Sequence, residues 1–475
     1  MSFIKYRQFG NKEYAYELTS YRDPQTKKVK HRSKYLGVVV DKEKHTFERR
    51  LFKHRTEKLI LDFGDSYIVQ KILENTGFFS LLREIFGKET HTIFSLITYR
   101  LCYNAAMMYV ERWYEGSYAS IQYKEARISS QRISEFLTLL NDEQLQRMFL
   151  KEYITRFINV NNGGVVIDAT SIPNQIHNPL TAWGRNGEEI DEQIRFLLAL
   201  DKNTSLPFFF RVLPGNIVDV STLKNTTIEL KKYGLTNMFV YIDAGYFSEE
   251  NILDMYKEEI NFITRLPSNR TLYKNLMEKE VADLEKKKYA VRYGKRGMFV
   301  KEKVVNLFGK MAFAYIVLDP KRKGREVDKL ILDSTEKDTH YDEIELNYGF
   351  MTRGIMVVVS SFQMKTDEVV PTYYMRQEVE MLFGFSKDDL ALYPLRVHSE
   401  DRIHGFLFLQ FITLIAFIQL KKKIGNKYTV EEILLTMRNL KCKVFDNELI
   451  ISELTKDQKD LCEDMDVVVP KTSGI

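Results

Sequence analysis

The sequence predicts an α/β protein whose core is a mixed sheet, preceded by a basic β-hairpin unit and a helical region and interrupted by a β-rich insertion. Three observations predict it. Beyond Gly163, short apolar β-branched runs occur in the order three strands, helix, strand, helix, strand. From Asp65 to about Phe157 the apolar residues recur at helical spacing. Residues 1–40 instead alternate in strand fashion around Asp23-Pro24. The 475 residues are enough for about three domains and a large buried core.

In chain order, Lys42 to Lys58 reads as a charged, helical connector. The helical region follows, with segments at Tyr67–Leu73, Phe79–Phe86, Ile93–Met108 and Ile133–Phe149; Ser134 or Asn141-Asp142 caps or divides the last. The first core strand is Gly164-Val165-Val166-Ile167, ending in Asp168. Ile194–Leu200 and Pro207–Val212 continue it as an antiparallel meander. A turn at Pro214-Gly215-Asn216 leads into a helix from Asp219 to Tyr233. Met238–Ile242 is a fourth strand, ending in Asp243. Ser248 caps a further helix, and Asn261–Leu266 is a fifth strand, reached by parallel crossovers.

Residues 270–350 carry short alternating runs and read as a largely β insertion. The core resumes at Ile355–Ser360, followed by a helix from about Asp367. The apolar stretch Phe406–Leu420 is about 15 residues, short of the ~20 that cross a bilayer, and reads as a buried core helix covering the sheet. Thr429 and Glu432 form a capping box, and beyond Glu453 the charged tail reads as loose. The expected divisions are thus 1–60, 61–157, 158–269, 270–350, 351–425 and 426–475.

Net charge is only +5, yet the basic residues cluster. Residues 1–60 hold sixteen Lys and Arg against seven Asp and Glu. Lys286 to Lys303 holds eight against one, interleaved with Tyr289, Tyr293 and Phe299. Such patches fit a polyanionic partner, although solvated loops give the same composition. Cys102, Cys442 and Cys462 are scattered, with neither zinc nor disulfide spacing, which points to a reducing cytoplasm. The N-terminus has no apolar run resembling a signal peptide, so a cytoplasmic protein without a membrane partner is expected.

The chemistry lies in acids at strand ends. If the first and fourth strands are neighbours, Asp168 and Asp243 emerge at one sheet edge. Farther on, Tyr373, Arg376, Glu380 and Lys387 stand at steps of three, four and seven. On one continuous helix they fall within a stripe roughly 60° wide. Glu378 lies about 200° around the helix from Glu380 and is the weaker candidate. Three carboxylates without a competing His or Cys make a hard oxygen site suited to Mg²⁺ or Mn²⁺. Two such ions, about 3.5–4 Å apart, serve phosphodiester displacement. An acid closing a strand is, taken alone, an ordinary loop starter, and Arg376–Glu380 is an ordinary i,i+4 pair.

The chain resembles bacterial insertion-sequence transposases of the DDE type, named for two Asp and a Glu on an RNase H-like core. Tyr373, Arg376, Glu380 and Lys387 reproduce the spacings of one group's Tyr, Arg, Glu, Lys signature. Asp168 in Val-Ile-Asp-Ala-Thr-Ser matches the first acid, and Asp243 in Tyr-Ile-Asp-Ala-Gly-Tyr the second. Pro214-Gly215-Asn216 with Asp219, Gln193 and Phe63-Gly64-Asp65 also match, and a β-rich insertion before the last acid is usual in that group. The resemblance covers most of residues 60–420.

It implies that Asp168 bridges two metal ions and that Asp243 and Glu380 each complete one ion's shell. Arg376 and Lys387 would grip phosphates of the element's end, with Tyr373 donating a hydrogen bond to another. The implied enzyme cleaves DNA at insertion-sequence ends and joins them to target DNA, as a dimer on paired ends beside the nucleoid, with residues 1–60 contacting DNA. Asn216 and Asp219 suit a turn and a helix cap, His177 and Trp183 a packed connection, and His398 and His404 structural places beside the core helix. Group members that form DNA hairpins use an insertion aromatic, often Trp; this insertion has no Trp, leaving Tyr289, Tyr293 or Phe299. Two rivals are an RNase H-like nuclease or resolvase that cuts without joining and a non-catalytic, transposase-derived DNA-binding regulator.

Overall fold

The computed structural model describes residues 2–9, 12–23, 27–48, 59–103, 105–158, 164–186, 189–217, 219–235, 238–335, 342–387, 395, 397, 399–425, 427–446 and 448–474. The chain forms two compact units, residues 1–59 with 444–448 and 474–475, and residues 60–443 with 449–473.

In the first unit, β1 (Ser2–Phe9), β2 (Lys12–Arg22), β3 (Val29–Asp41) and β4 (Thr46–Glu48) form one antiparallel sheet in sequence order. This is more than the expected hairpin, because the third run continues through Gly37-Val38-Val39 and recruits Phe47 opposite Val39. The connector is therefore not helical where it is described: Asp41 accepts from the amides of Glu43 and Lys44 and turns the chain into β4. Its remainder, 49–58, lies outside the described residues.

β5 (Leu59–Asp62) leads into the second unit, and α1 (Gly64–Asn75), α2 (Phe78–Phe86), α3 (Thr90–Tyr103), α4 (Val110–Gly116), α5 (Ala119–Gln122), α6 (Ser130–Leu140) and α7 (Glu143–Phe157) follow. Asp142 caps α7 by accepting from the Leu145 amide, whereas Ser134 lies within α6.

The core strands are β6 (Gly164–Pro173), β7 (Ala182–Asn186), β8 (Glu189–Asp201) and β9 (Pro207–Pro214). After α8 (Asp219–Lys232) come β10 (Phe239–Ile242), α9 (Glu249–Lys257) and β11 (Asn261–Arg265). The order β9-β8-β6-β10-β11, antiparallel up to β6 and parallel beyond it, is the RNase H-like arrangement. β7 is an addition that the Gly- and Trp-containing connection did not signal; it pairs with β8 on the far edge. Ser248 caps α9 as expected.

The segment after β11 is not mainly β. α10 (Thr271–Glu280) precedes β12 (Ala290–Tyr293), β13 (Arg296–Leu307) and β14 (Lys310–Leu318), and α11 (Pro320–Thr335) and α12 (Glu343–Thr352) follow. Its strands do not form a separate sheet. β14 pairs with β15 (Ile355–Ser360), and β15 pairs with β11, so the core sheet runs on without a break. The fully buried pattern of β15 follows from neighbours on both edges and cover on both faces.

The helix expected from Asp367 is two: α13 (Thr366–Tyr374), containing Pro371, and α14 (Arg376–Lys387), separated at Met375. Pro371 acts on the turn before it, inside α13, whereas the junction follows four residues later at Met375. α15 (Glu400–Ile424) is the core helix; it is long and apolar enough to cross a membrane, but 94% of that window is buried within the protein. Phe408 of α15 stacks on Phe210 of β9 at 5.5 Å and meets Phe149 of α7 edge-on at 5.4 Å, joining the helices to the sheet. α16 (Val430–Arg438) carries the expected capping box. β16 (Lys441–Val444) and β17 (Glu448–Ile451) follow, and the tail is ordered: α17 (Lys456–Asp464), with its own Thr455–Gln458 capping box and buried Leu461 and Cys462, precedes β18 (Thr472–Gly474).

Candidate active site

β6 and β10 position the first two acids. They run parallel with Gly164 opposite Phe239 and Val166 opposite Tyr241, and the same offset sets Asp243 level with Asp168. Adjacent strands lie about 4.8 Å apart, so the two carboxylates leave neighbouring backbones at one level. Asp168 does not end its strand. β6 continues to Pro173 against β8; what ends beside Asp168 is β10. In open sheets of this kind sites form beyond the carboxyl ends of the strands where the strand order reverses, here between β6 and β10.

Both acids are half-buried, and Oδ1 of Asp168 accepts from the Ala169 amide at 2.9 Å. Asp243 opens a 3₁₀ turn in which its carbonyl accepts from the Tyr246 amide at 3.0 Å. The same carbonyl accepts from the Thr264 hydroxyl at 3.3 Å. Thr264, wholly buried on β11, thus holds the backbone of the second acid; one Thr within an apolar strand gives no sequence signal for that role.

α14 brings the third acid, packing against β6 and α15. Val379, Leu382 and Phe383 are its buried side, and Phe385 meets Phe417 of α15 at 4.8 Å; Glu380 is exposed. α14 reaches Lys387, and Gly384 neither ends nor crowds it. The side chains of Arg376, Glu378 and Lys387 lie outside the described residues. Tyr373 departs from the expected stripe. It sits on α13, before the Met375 break, and is only 7% exposed. Its neighbour Tyr374 stacks on Tyr293 of β12 at 5.5 Å and 19°, so an insertion aromatic is engaged by the signature segment itself. Tyr289 lies under the ammonium groups of Lys288 and Lys301, at 4.7 and 5.5 Å.

Among the described residues, no three Asp, Glu, His or Cys side chains are gathered closely enough to hold one metal ion. The donors themselves, carboxylate oxygens with two in register, fit a hard divalent ion rather than a soft one.

The Pro214-Gly215-Asn216 turn is structural in its detail. A Cβ at Gly215 would stand 2.1 Å from the Gln193 carbonyl oxygen and 2.4 Å from that of Ala182. Gln193, fully buried, donates to the Gly215 carbonyl at 3.2 Å, so its resemblance to the family reports packing of β7 and β8 on this turn. Asp219 opens α8, and its side chain lies outside the described residues. His177 and Trp183 are exposed, Trp183 by 64%. His404 on α15 is partly buried, which lowers its pKa against the pull of Glu400 and Asp401. His398 lies outside the described residues.

Residues 162–416 match the family model described as the transposase DDE domain. Among solved structures, the chain is similar to the piggyBac transposase in a synaptic complex with hairpin DNA. The two share 10% identity with a TM-score of 0.42, over 74% of this chain and 70% of that one. No curated protein matches the chain.

Proposed function

The chain belongs to the transposase DDE domain family, and we propose that Asp168, Asp243 and Glu380 are the ligands of its two catalytic Mg²⁺ ions, with Mn²⁺ able to substitute. As a member, it is a transposase, an enzyme that binds DNA, cleaves it and transfers strands with the help of divalent metal. The observation that supports the assignment is the register that sets Asp243 level with Asp168 beside the end of β10, with α14 lying on β6.

The bound ions would activate the attacking oxygen and stabilise the leaving one in each in-line displacement. The chain's own groups do the rest. Asp168, held in its strand by pairing with β8, would offer its carboxylate to both ions. Asp243 is held through its carbonyl by Thr264 and the 3₁₀ turn. Glu380 comes from a helix whose apolar side is anchored in the core. Arg376 and Lys387, one and two helical turns to either side of it, grip phosphates of the element's end. Tyr373 serves through its hydroxyl or, being largely buried, by seating Tyr374 against the insertion.

Cleavage exposes a 3′-hydroxyl, and the same carboxylates then direct its attack on target DNA. Two copies of the chain act on paired ends in the bacterial cytoplasm, beside the nucleoid. Residues 1–60 contact DNA, 61–157 form the helical scaffold, and the basic segment 270–350 lies beside the cleaved end. Residues 158–269 and 351–425 together form the catalytic core, and 426–475 complete the chain as a C-terminal helix and tail.

The test is incubation of the full chain with DNA from the gene's flanks, a target plasmid and Mg²⁺. Nicked ends and joined product are expected, both abolished by EDTA and restored by Mg²⁺ or Mn²⁺. Cleavage without joining would instead describe a nuclease, and binding without either a regulator.

A further inference from the structure

We propose that one face of the N-terminal sheet is a platform for unpaired DNA, with bases stacking on a row of aromatic rings and phosphates held by cations beside it. The proposal rests on the transposase reading and names the form of DNA this unit takes. The strand register defines the face. Tyr16 on β2 stands opposite Lys5 on β1 and opposite Tyr35 on β3, so these three point the same way. Two residues along, Tyr14 stands opposite Arg7, and next Lys12 stands opposite Phe9.

The rings form a continuous row: Phe9 to Tyr14 at 5.8 Å, Tyr14 to Tyr35 at 6.3 Å, and Tyr35 to Tyr16 at 5.4 Å. The Arg7 guanidinium lies 5.4 Å from the centre of the Tyr16 ring. By alternation, no strand position of β1, β2 or β3 on this face is an acid; Glu13 and Glu17 point the other way, with Ala15. Of the unit's buried side chains, Ala15 lies on the other face, where Tyr6 meets Phe47 at 6.4 Å, and Leu18 lies on this one beyond Tyr16, opposite Phe3. In the aromatic row, Phe9 is 60% exposed and Tyr35 37%.

Lys5, Arg7 and Lys12 outnumber this face's one strand acid, Glu48 on β4 opposite Val38, a balance that fits a polyanion and disfavours a second copy of the same face. Rings spread across a sheet offer stacking surfaces that only splayed bases can use, since a duplex hides its base faces. Strand cutting and exchange at element ends create such unpaired nucleotides.

The experiment measures anisotropy of a labelled oligo-dT and of a mixed-sequence duplex with the full-length protein. Wild type should bind both. The double variant Phe9→Ala/Tyr35→Ala should weaken oligo-dT binding by about 10–100-fold, as expected for stacking lost at one or two bases, and duplex binding by less than about 3-fold, since a duplex does not stack on these rings. Phe9→Tyr/Tyr35→Phe, which keeps both rings, should stay within about 3-fold of wild type because stacking accepts any aromatic ring. Unchanged oligo-dT binding in the alanine variant would overturn the proposal, as would equal loss on duplex or a shift in the mass of the DNA-free protein. These results stand apart from end joining: joining that persists while the platform variants bind normally strikes this inference alone. Absent joining by a wild type that still binds oligo-dT through Phe9 and Tyr35 strikes the transposase reading instead.

Discussion

Asp65 shows how single residues carry the second unit's stability and how pH would reveal it. Only 2% exposed, it accepts from the Ser66 amide at 2.7 Å and pairs with Arg438 of α16 at 3.2 Å. Burial raises its pKa, against the pull of Ser66 and Arg438. A raised folded pKa means the folded state favours the proton, so this contribution is greatest at low pH and is lost as pH climbs through the folded value. Arg438→Met removes the compensating charge. It should cost on the order of 3 kcal/mol at pH 8, the low end for a broken buried pair because Arg438 is partly exposed. The gap in Tm between wild type and Arg438→Met should narrow as pH falls towards 5, and Asp65→Asn added to Arg438→Met should recover most of the loss. A gap that widens on acidification would contradict the assignment. At the site, Thr264→Val should lower joining while leaving end binding intact, since it removes a donor to the Asp243 carbonyl and no contact with DNA; gel-shift and joining assays run together check this.

At the scale of elements, what the sequence made legible follows from local pattern, and what it concealed follows from tertiary partners. The strand segments running into Asp168 and Asp243 are readable because apolar β-branched runs meet an acid there. That β6 continues past Asp168 is not, because its second half is held by β8 rather than by its own composition. The signature helix reads as one piece by spacing alone, and the break at Met375 moves Tyr373 onto another helix. The three strands of the basic insertion alternate visibly, yet only pairing with β15 shows that they extend the core sheet. The tail looked loose because its charge is high, and the Thr455–Gln458 capping box with buried Leu461 reverses that reading. Close helix packing is testable directly. A Cβ at Gly405 of α15 would stand 1.8 Å from the Leu137 carbonyl oxygen of α6. Gly405→Ala should therefore force the helices apart and cost about 1–3 kcal/mol in denaturant melts; Gly384→Ala, with open space around it, should be neutral or slightly stabilising.

For the whole molecule, the mixed sheet sets Asp168 and Asp243 at one level and a core-anchored helix packed on β6 carries Glu380; as proposed, these three serve the family's reaction. Transposition by paired ends predicts that light scattering of the DNA-bound protein reports two chains per pair of ends, and that a single end with one chain joins poorly. The most direct measurement is strand joining in Mg²⁺ by wild type, Asp168→Asn, Asp243→Asn and Glu380→Gln, each first shown by gel shift to bind end DNA normally. Each substitution should reduce joining at least about 1,000-fold, because removing one ligand disables ion binding needed for both displacements, while Glu378→Gln should join like wild type. Joining near the wild-type rate by any of the first three variants would contradict the carboxylate assignment.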